Sequence, residues 1–325
     1  MNDSKQMKNP ERRTFVKKAA SLLAGAYMGF FVPRFLQSGP SASSPANMQY
    51  RILGKTGLKV SEIGFGGYAV SDPSVIEYAL DRGINYMDTS ICYRQGKSEE
   101  TIGKVMKLKR DKFVLTTKFD AFSKSRKEEM LGWIDTSLKR LQTDHIDCLL
   151  VHQIGKASGG ESIGRLQNPE LYEAFNAAKQ QGKVRFLGCS GHDLDLMEVM
   201  NYAITIPEIS VILCRYNFMT FKTEPELFRS AKSKGVGAVV MKTLAGARAA
   251  DFKHFQNHYT TYKQAALKWV LSNQDITNLI ITISSKEQVD EYAAASGPPM
   301  THEEKGALNA YAASATPDPS DSYLV

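Results

Sequence analysis

Cysteine is scarce in this sequence and unpatterned. Its four thiols (Cys92, Cys148, Cys189, Cys214) include no C-x-x-C pair, which argues against a zinc ribbon or a disulfide framework. Mostly apolar neighbours make buried free thiols the expected state, with a Cys189–Cys214 bridge between adjacent strands as the alternative. Metal-ligand spacing is missing too. His254 and His258 stand one helical turn apart, but only Asp251 lies near them and residues 253–259 read as a loop, so no metal site is expected. There is no G-x-x-x-x-G-K-[ST] loop, and GFGGYAV (64–70) does not fit G-x-G-x-x-G. Neither a P-loop nor an open dinucleotide-binding sheet is indicated.

Basic charge is in excess, at +7, but not where nucleic acid would need it. Residues 1–46 hold seven Lys or Arg against two acids, a net +5, which leaves +2 on the other 279 residues. A nearly neutral body has no footprint for a phosphate backbone. Within the basic leader, AASLLAGAYMGFFV (19–32) is uncharged. Its length as a helix is about 21 Å, short of the ~30 Å hydrocarbon core. Together these are the n-region and h-region of a signal peptide. ERRTFVKK (11–18) resembles a twin-arginine export signal, with Arg12-Arg13, then Phe15, Lys17 and Lys18, and Ser44-Pro45-Ala46 offers a small-residue cleavage site. The expected organisation is a leader over 1–46, a folded body over 47–315 and a tail over 316–325. The leader implies recognition by twin-arginine export machinery and a periplasmic protein, tethered at the inner membrane if uncut; the alternative is a cytoplasmic protein with a basic tail. Because that route carries folded proteins, it also hints at a preloaded cofactor.

From Met48 onward, short apolar runs alternate with amphipathic stretches. Residues 49–63 read as a hairpin turning at Lys55-Thr56-Gly57. Strands are expected at 63–66, 85–88, 113–118, 146–152, 184–190, 210–215, 237–241 and 278–283, with helical patterns at 98–108, 127–141, 261–273 and 301–315. Continuous apolar strands, each followed by a helix, indicate a parallel sheet covered on both faces. Eight such units predict a (β/α)8 TIM barrel of the α/β class, with an N-terminal β-hairpin and an additional C-terminal helix. In such a barrel the active site lies at the C-terminal ends of the strands. Asp88, Tyr93, Lys118 and His152 fall at or near those ends, within YMDTSICY (86–93), FVLTTK (113–118) and IDCLLVH (146–152).

At these residues the chain, over 48–315, resembles the aldo-keto reductases, NADPH-dependent barrel enzymes. YRILGKTGLKVSEIGFGG (50–67), DTSICY (88–93), SEETIGK (98–104), TTK (116–118) and VHQ (151–153) carry the likeness, in the family's order and at its spacing. The resemblance implies reduction of an aldehyde or ketone by NADPH, with NADH as the alternative. Tyr93 would be the general acid. A phenol of pKa about 10 is poorly matched to neutral pH, so the Lys118 ammonium is expected to lower it while Asp88 holds Lys118 by an ion pair. A neutral His152 would orient the carbonyl oxygen. The rival class is a non-catalytic nicotinamide-binding sensor or interaction protein on the same barrel; a metal-dependent hydrolase lacks the ligands.

The cofactor side departs from the family pattern. Ser190 is followed by Gly191 where Asn is usual, with His192 next. Tyr216-Asn217 is kept, but Leu213 takes the place of a Gln, and Met241-Lys242-Thr243-Leu244 stands where many members stack a Tyr on the nicotinamide. The expected cofactor contacts are Ser190, Tyr216, Met241, Lys242 and Leu244, then Ser284, Ser285, Lys286 and Gln288 of TISSKEQVDE (282–291) near the 2′-phosphate. No cysteine cluster follows the last helix, so no iron–sulfur appendage is expected. The loop at 153–168 carries no readable substrate preference.

Overall fold

The structure is a computed structural model that describes residues 48–156, 161–219, 224–244 and 259–314. The leader, the tail and the Asp251, His254 and His258 group lie outside the described residues. Two short strands come first, β1 (Tyr50–Ile52) and β2 (Lys59–Ser61), paired antiparallel around a 3-10 turn at Gly54–Thr56. This hairpin seats against the N-terminal end of the barrel. Leu53 and Val60 are fully buried, and Gly54, at φ +49°, lies so close to the chain at Gly235–Gly237 that a Cβ would fall 2.4 Å from backbone atoms. Only glycine fits there.

Eight parallel strands then close a barrel, with neighbours in the order β10-β3-β4-β5-β6-β7-β8-β9. The alternation is regular: β3 (Ile63–Gly66), α1 (Pro73–Asp81), β4 (Tyr86–Asp88), α2 (Lys97–Lys109), β5 (Val114–Phe119), α3 (Lys127–Leu141), β6 (Ile146–Val151) and α4 (Pro169–Gln180). It continues with β7 (Val184–Gly191), α5 (Leu196–Ala203), β8 (Ile209–Arg215), α6 (Glu224–Ser233), β9 (Gly237–Met241), α7 (Tyr259–Leu271), β10 (Asn278–Thr282) and α8 (Lys286–Ala293). The expected extra helix is α9 (His302–Ser314). Helix starts follow local chemistry. Asp72 before Pro73 accepts from the Ser74 amide at 2.8 Å, and Asn168 before Pro169 accepts from the Glu170 amide at 3.0 Å. Among the described residues no helix is long and apolar enough to cross a membrane.

Period-two alternation sorts each strand into two cores. Tyr86, Val114, Cys148, Leu150, Val211, Leu213, Val239 and Ile280 form the core inside the barrel. Their neighbours, such as Met87, Leu115, Leu149, Ile212 and Val240, pack outward under the helices. Cys189 is opposite Ile212 and Cys214 opposite Gly191, so the two thiols are out of register. All four cysteines are free, and Cys92 is exposed rather than buried.

Candidate active site

Continuing the inward positions along each strand reaches polar residues at the C-terminal end. Tyr86 leads to Asp88, Val114 to Lys118, Leu150 to His152, Leu213 to Arg215 and Val239 to Met241. Asp88 and Lys118 are each 1% exposed, and Lys118 Nζ donates to Asp88 Oδ1 at 2.6 Å, to the Thr89 carbonyl at 2.7 Å and to Tyr93 Oη at 3.4 Å. The ammonium also lies 4.9 Å from the centre of the Tyr93 ring. Tyr93 is not at a strand end. The strand stops at Asp88, and the loop after it stays tied to β5 through Thr89 and Ile91 amides on the Thr116 and Lys118 carbonyls. Tyr93 then opens a 3-10 turn in which Arg94, Gln95 and Gly96 have φ of 51°, 58° and 88°. Its ring meets the His152 ring edge-on at 5.7 Å and Tyr68 at 5.2 Å.

Burial lowers the His152 pKa, opposed in part by the hydrogen bond to Asp120, which favours a neutral imidazole near pH 7. Burial also drives the Tyr93 pKa up, and the Lys118 ammonium only partly counters this. The expected lowering of the phenol pKa therefore does not occur: desolvation outweighs the ammonium, and the phenol keeps its proton. Burial acts to lower the Lys118 pKa, yet Asp88 and Tyr93 hold it above its ordinary value.

Sequence reasoning missed Asp120, one residue beyond β5, whose Oδ1 lies 3.3 Å from His152 Nδ1. Ser90 Oγ at 3.4 Å and Cys92 Sγ at 3.5 Å complete the surroundings of that nitrogen. The inward positions of Asp120, two beyond Lys118, and of Arg215, two beyond Leu213, were the available signals.

The expected cofactor residues divide into three groups. Ser190 is buried, and its hydroxyl accepts from the Gln153 amide at 3.1 Å. A Cβ at Gly191 would be 2.7 Å from the Ile154 carbonyl oxygen, so the usual Asn has no room as the backbone runs here. Met241 packs against the inner core. Tyr216 and Leu244 do not join this face. Tyr216 has the opposite parity to Leu213 and packs outward, its ring 5.0 Å from both Phe228 and Trp269; Leu244 packs on the helix side. At the third location Ser284 donates its amide and hydroxyl to Gln288 Oε1 at 2.8 and 3.0 Å, Ser285 accepts from the Gln288 amide at 3.3 Å, and Lys286 is exposed beside Tyr78. These four residues are brought together as the N-terminal turn of α8.

A cluster of unsatisfied polar atoms follows β7, β8 and β9. His192 Nδ1, Arg215 Nε, Lys242 Nζ and Thr243 Oγ1 are buried without a hydrogen-bond partner among the described residues. Burial and then Lys242 push His192 down to about 4; burial and then Arg215 lower the Lys242 pKa. Orphaned cationic donors on the mouth of a barrel suit anionic or carbonyl oxygens of a ligand.

The aldo/keto reductase family model matches residues 68–260. L-galactose dehydrogenase of Arabidopsis thaliana is 30% identical over 286 residues, spanning 76% of this chain and 88% of that protein. The holo form of aldo-keto reductase AKR11C1 from Bacillus halodurans superposes with a TM-score of 0.65 at 25% identity, covering 84% of this chain and 99% of that one. An aldo/keto reductase from Klebsiella pneumoniae, solved with NADP and acetate, has the same fold at a TM-score of 0.65 and 23% identity, over 80% of this chain and 94% of that one. With its closed barrel and the polar cluster at the strand ends, the chain belongs to the aldo/keto reductase family.

Proposed function

We propose that this chain reduces an aldehyde or ketone to an alcohol with a nicotinamide dinucleotide, NADPH in preference to NADH. The carrying observation is Lys118 Nζ, buried between Asp88 Oδ1 and Tyr93 Oη. The dinucleotide, when bound, supplies hydride to the carbonyl carbon. The protein supplies the proton. Tyr93 Oη–H passes it to the carbonyl oxygen, and the nearby ammonium stabilises the phenolate left behind until solvent restores the proton. Asp88 fixes the Lys118 position and compensates its charge. His152 borders the carbonyl group with a neutral imidazole whose Nδ1–H donates to the Asp120 carboxylate, which fixes the ring.

The cofactor would be held by Met241 against the flat ring and by Arg215, Lys242 and Thr243 on polar oxygens; their unpartnered buried atoms fit that task. Ser284, Ser285 and Lys286 would meet the 2′-phosphate, Lys286 as a point charge. NADP in the Klebsiella relative supports that preference. The test is to purify the protein with minimal washing, release bound nucleotide by denaturation, and follow NADPH and NADH oxidation with a panel of aldehydes and ketones. Oxidation with none of them, by protein that binds neither nucleotide, overturns the reading.

We also propose that residues 1–46 direct twin-arginine export to the periplasm, with an inner-membrane tether where the leader is retained. Support comes from Arg12-Arg13 ahead of an uncharged stretch. Replacing both with Lys is expected to hold the protein in the cytoplasm; unchanged export of that variant rules the route out.

A further inference from the structure

We propose that Cys92, Asp120 and His152 form a binding site for a zinc-class divalent cation at the mouth of the barrel. The three come from different loops, after β4, β5 and β6, and their ligand atoms lie within 4.8 Å of one another. His152 Nδ1 is 3.5 Å from Cys92 Sγ and 3.3 Å from Asp120 Oδ1. A tetrahedral ion with ordinary Zn–S, Zn–N and Zn–O bonds requires separations of about 3.6 Å and about 3.4 Å between those pairs. The two separations from His152 thus already match those of ligands, and the third, from Cys92 Sγ to the Asp120 carboxylate, is within 4.8 Å.

The donor set selects the ion. One thiolate, one imidazole and one carboxylate suit zinc and its borderline-soft neighbours, whereas calcium and magnesium take oxygen ligands. Three protein ligands leave a fourth position, and the exposure of Cys92 keeps it open to solvent. Ser90 Oγ lies 3.3 Å from Cys92 Sγ and 3.4 Å from His152 Nδ1, where its hydroxyl can donate to the bound thiolate and steady it.

Charge permits a cation. Cys92 gives up its thiol proton on binding, so with Asp120 the site offers two negative charges. Lys118 is near, but Asp88 neutralises it at 2.6 Å. Arg165 is also near; its Nε and Nη1 donate to the Ala121 and Gln153 carbonyls at 2.5 and 3.1 Å. Its buried Nη2 has no partner among the described residues, so its charge is the one that the two anionic ligands must offset. An ion on Nδ1 leaves the His152 proton on Nε2 and ties the loop carrying Tyr93 to β5 and β6. The proposal does not depend on the chain being a reductase.

Cys92 is exposed while Cys148, Cys189 and Cys214 are buried, so native alkylation reads this site. With the full chain stripped of metal, zinc is expected to protect Cys92 from iodoacetamide, and cobalt to give a thiolate-to-metal charge-transfer band. Calorimetry is expected to show a single tight zinc site that Cys92→Ala abolishes and Asp120→Asn weakens roughly tenfold or more. Asp144→Asn, at the exposed Asp144–His145 pair, is the control and leaves the affinity unchanged. Equal alkylation of Cys92 with and without saturating zinc, no cobalt–thiolate band, or zinc affinity unaltered in Cys92→Ala each overturns the proposal.

Discussion

At the ends of β4 and β5 the buried cation of the barrel mouth, Lys118, finds its partners within the protein, although Asp88 Oδ2 is left without one, whereas buried nitrogens of the basic groups after β7, β8 and β9 find none among the described residues. On the first side Lys118 places its protons on Asp88, Thr89 and Tyr93 with no ligand present. On the second, Arg215 Nε, Lys242 Nζ and His192 Nδ1 are out of contact with water and with any hydrogen-bonding partner among the described residues. Both sides bury charge, at a cost the protein must meet somewhere. The first meets most of it internally and fixes Lys118 between Asp88 and Tyr93. On the proposed reading the second is satisfied by the nucleotide, and its cost is recovered as affinity.

Removing a residue from each side should therefore act in opposite ways. The largest loss of stability is expected from Lys118→Ala, which leaves the buried Asp88 carboxylate unpaired. Urea denaturation should show about 3–5 kcal/mol of destabilisation, and a loss below about 1 kcal/mol would mean the pair is not buried as an ion pair. Acid is next. His192, at about 4, is far below the 6.5 of an unfolded histidine. Its contribution is fully present above pH 6.5 and is lost as pH falls through the folded value near 4. Lowering the pH from 7 to 4 should cost on the order of 2–3 kcal/mol from this residue, a slope that His192→Gln flattens. Arg215→Leu and Lys242→Met should cost least. Each removes a buried polar atom that has no hydrogen-bond partner among the described residues, so stability without ligand stays level or rises by up to about 1 kcal/mol. NADPH affinity falls roughly 10- to 100-fold in each. Destabilisation by either as large as that of Lys118→Ala would erase the contrast between the two sides.

The same contrast marks what could be read from the chain alone. The barrel was legible because eight short apolar runs alternate with amphipathic stretches, and the positions of Asp88, Lys118 and His152 because each stands at or near the end of such a run. Tyr93 was legible as a residue but not as a loop position, because residues 86–93 look apolar throughout while the strand stops at Asp88. Tyr216 was drawn to the site by its Tyr-Asn pairing, although counting in twos from Leu213 sends it outward and brings Arg215 in. Gly191 departs from the family's Asn for a reason the sequence does not show: the Ile154 carbonyl fills the space beside it. Asp120 lies in no motif, and DTSICY gives Cys92 no role of its own, since their meeting with His152 depends on three loops converging.

The account rests on Tyr93 as the proton donor of a site that binds its nucleotide through other residues. The direct test is a single-turnover measurement on Tyr93→Phe, with NADPH binding followed by intrinsic fluorescence and oxidation followed by absorbance. The predicted result is wild-type affinity for NADPH together with a hydride-transfer rate lowered about 10²- to 10⁴-fold. Oxidation of NADPH by this variant at the wild-type rate would contradict it.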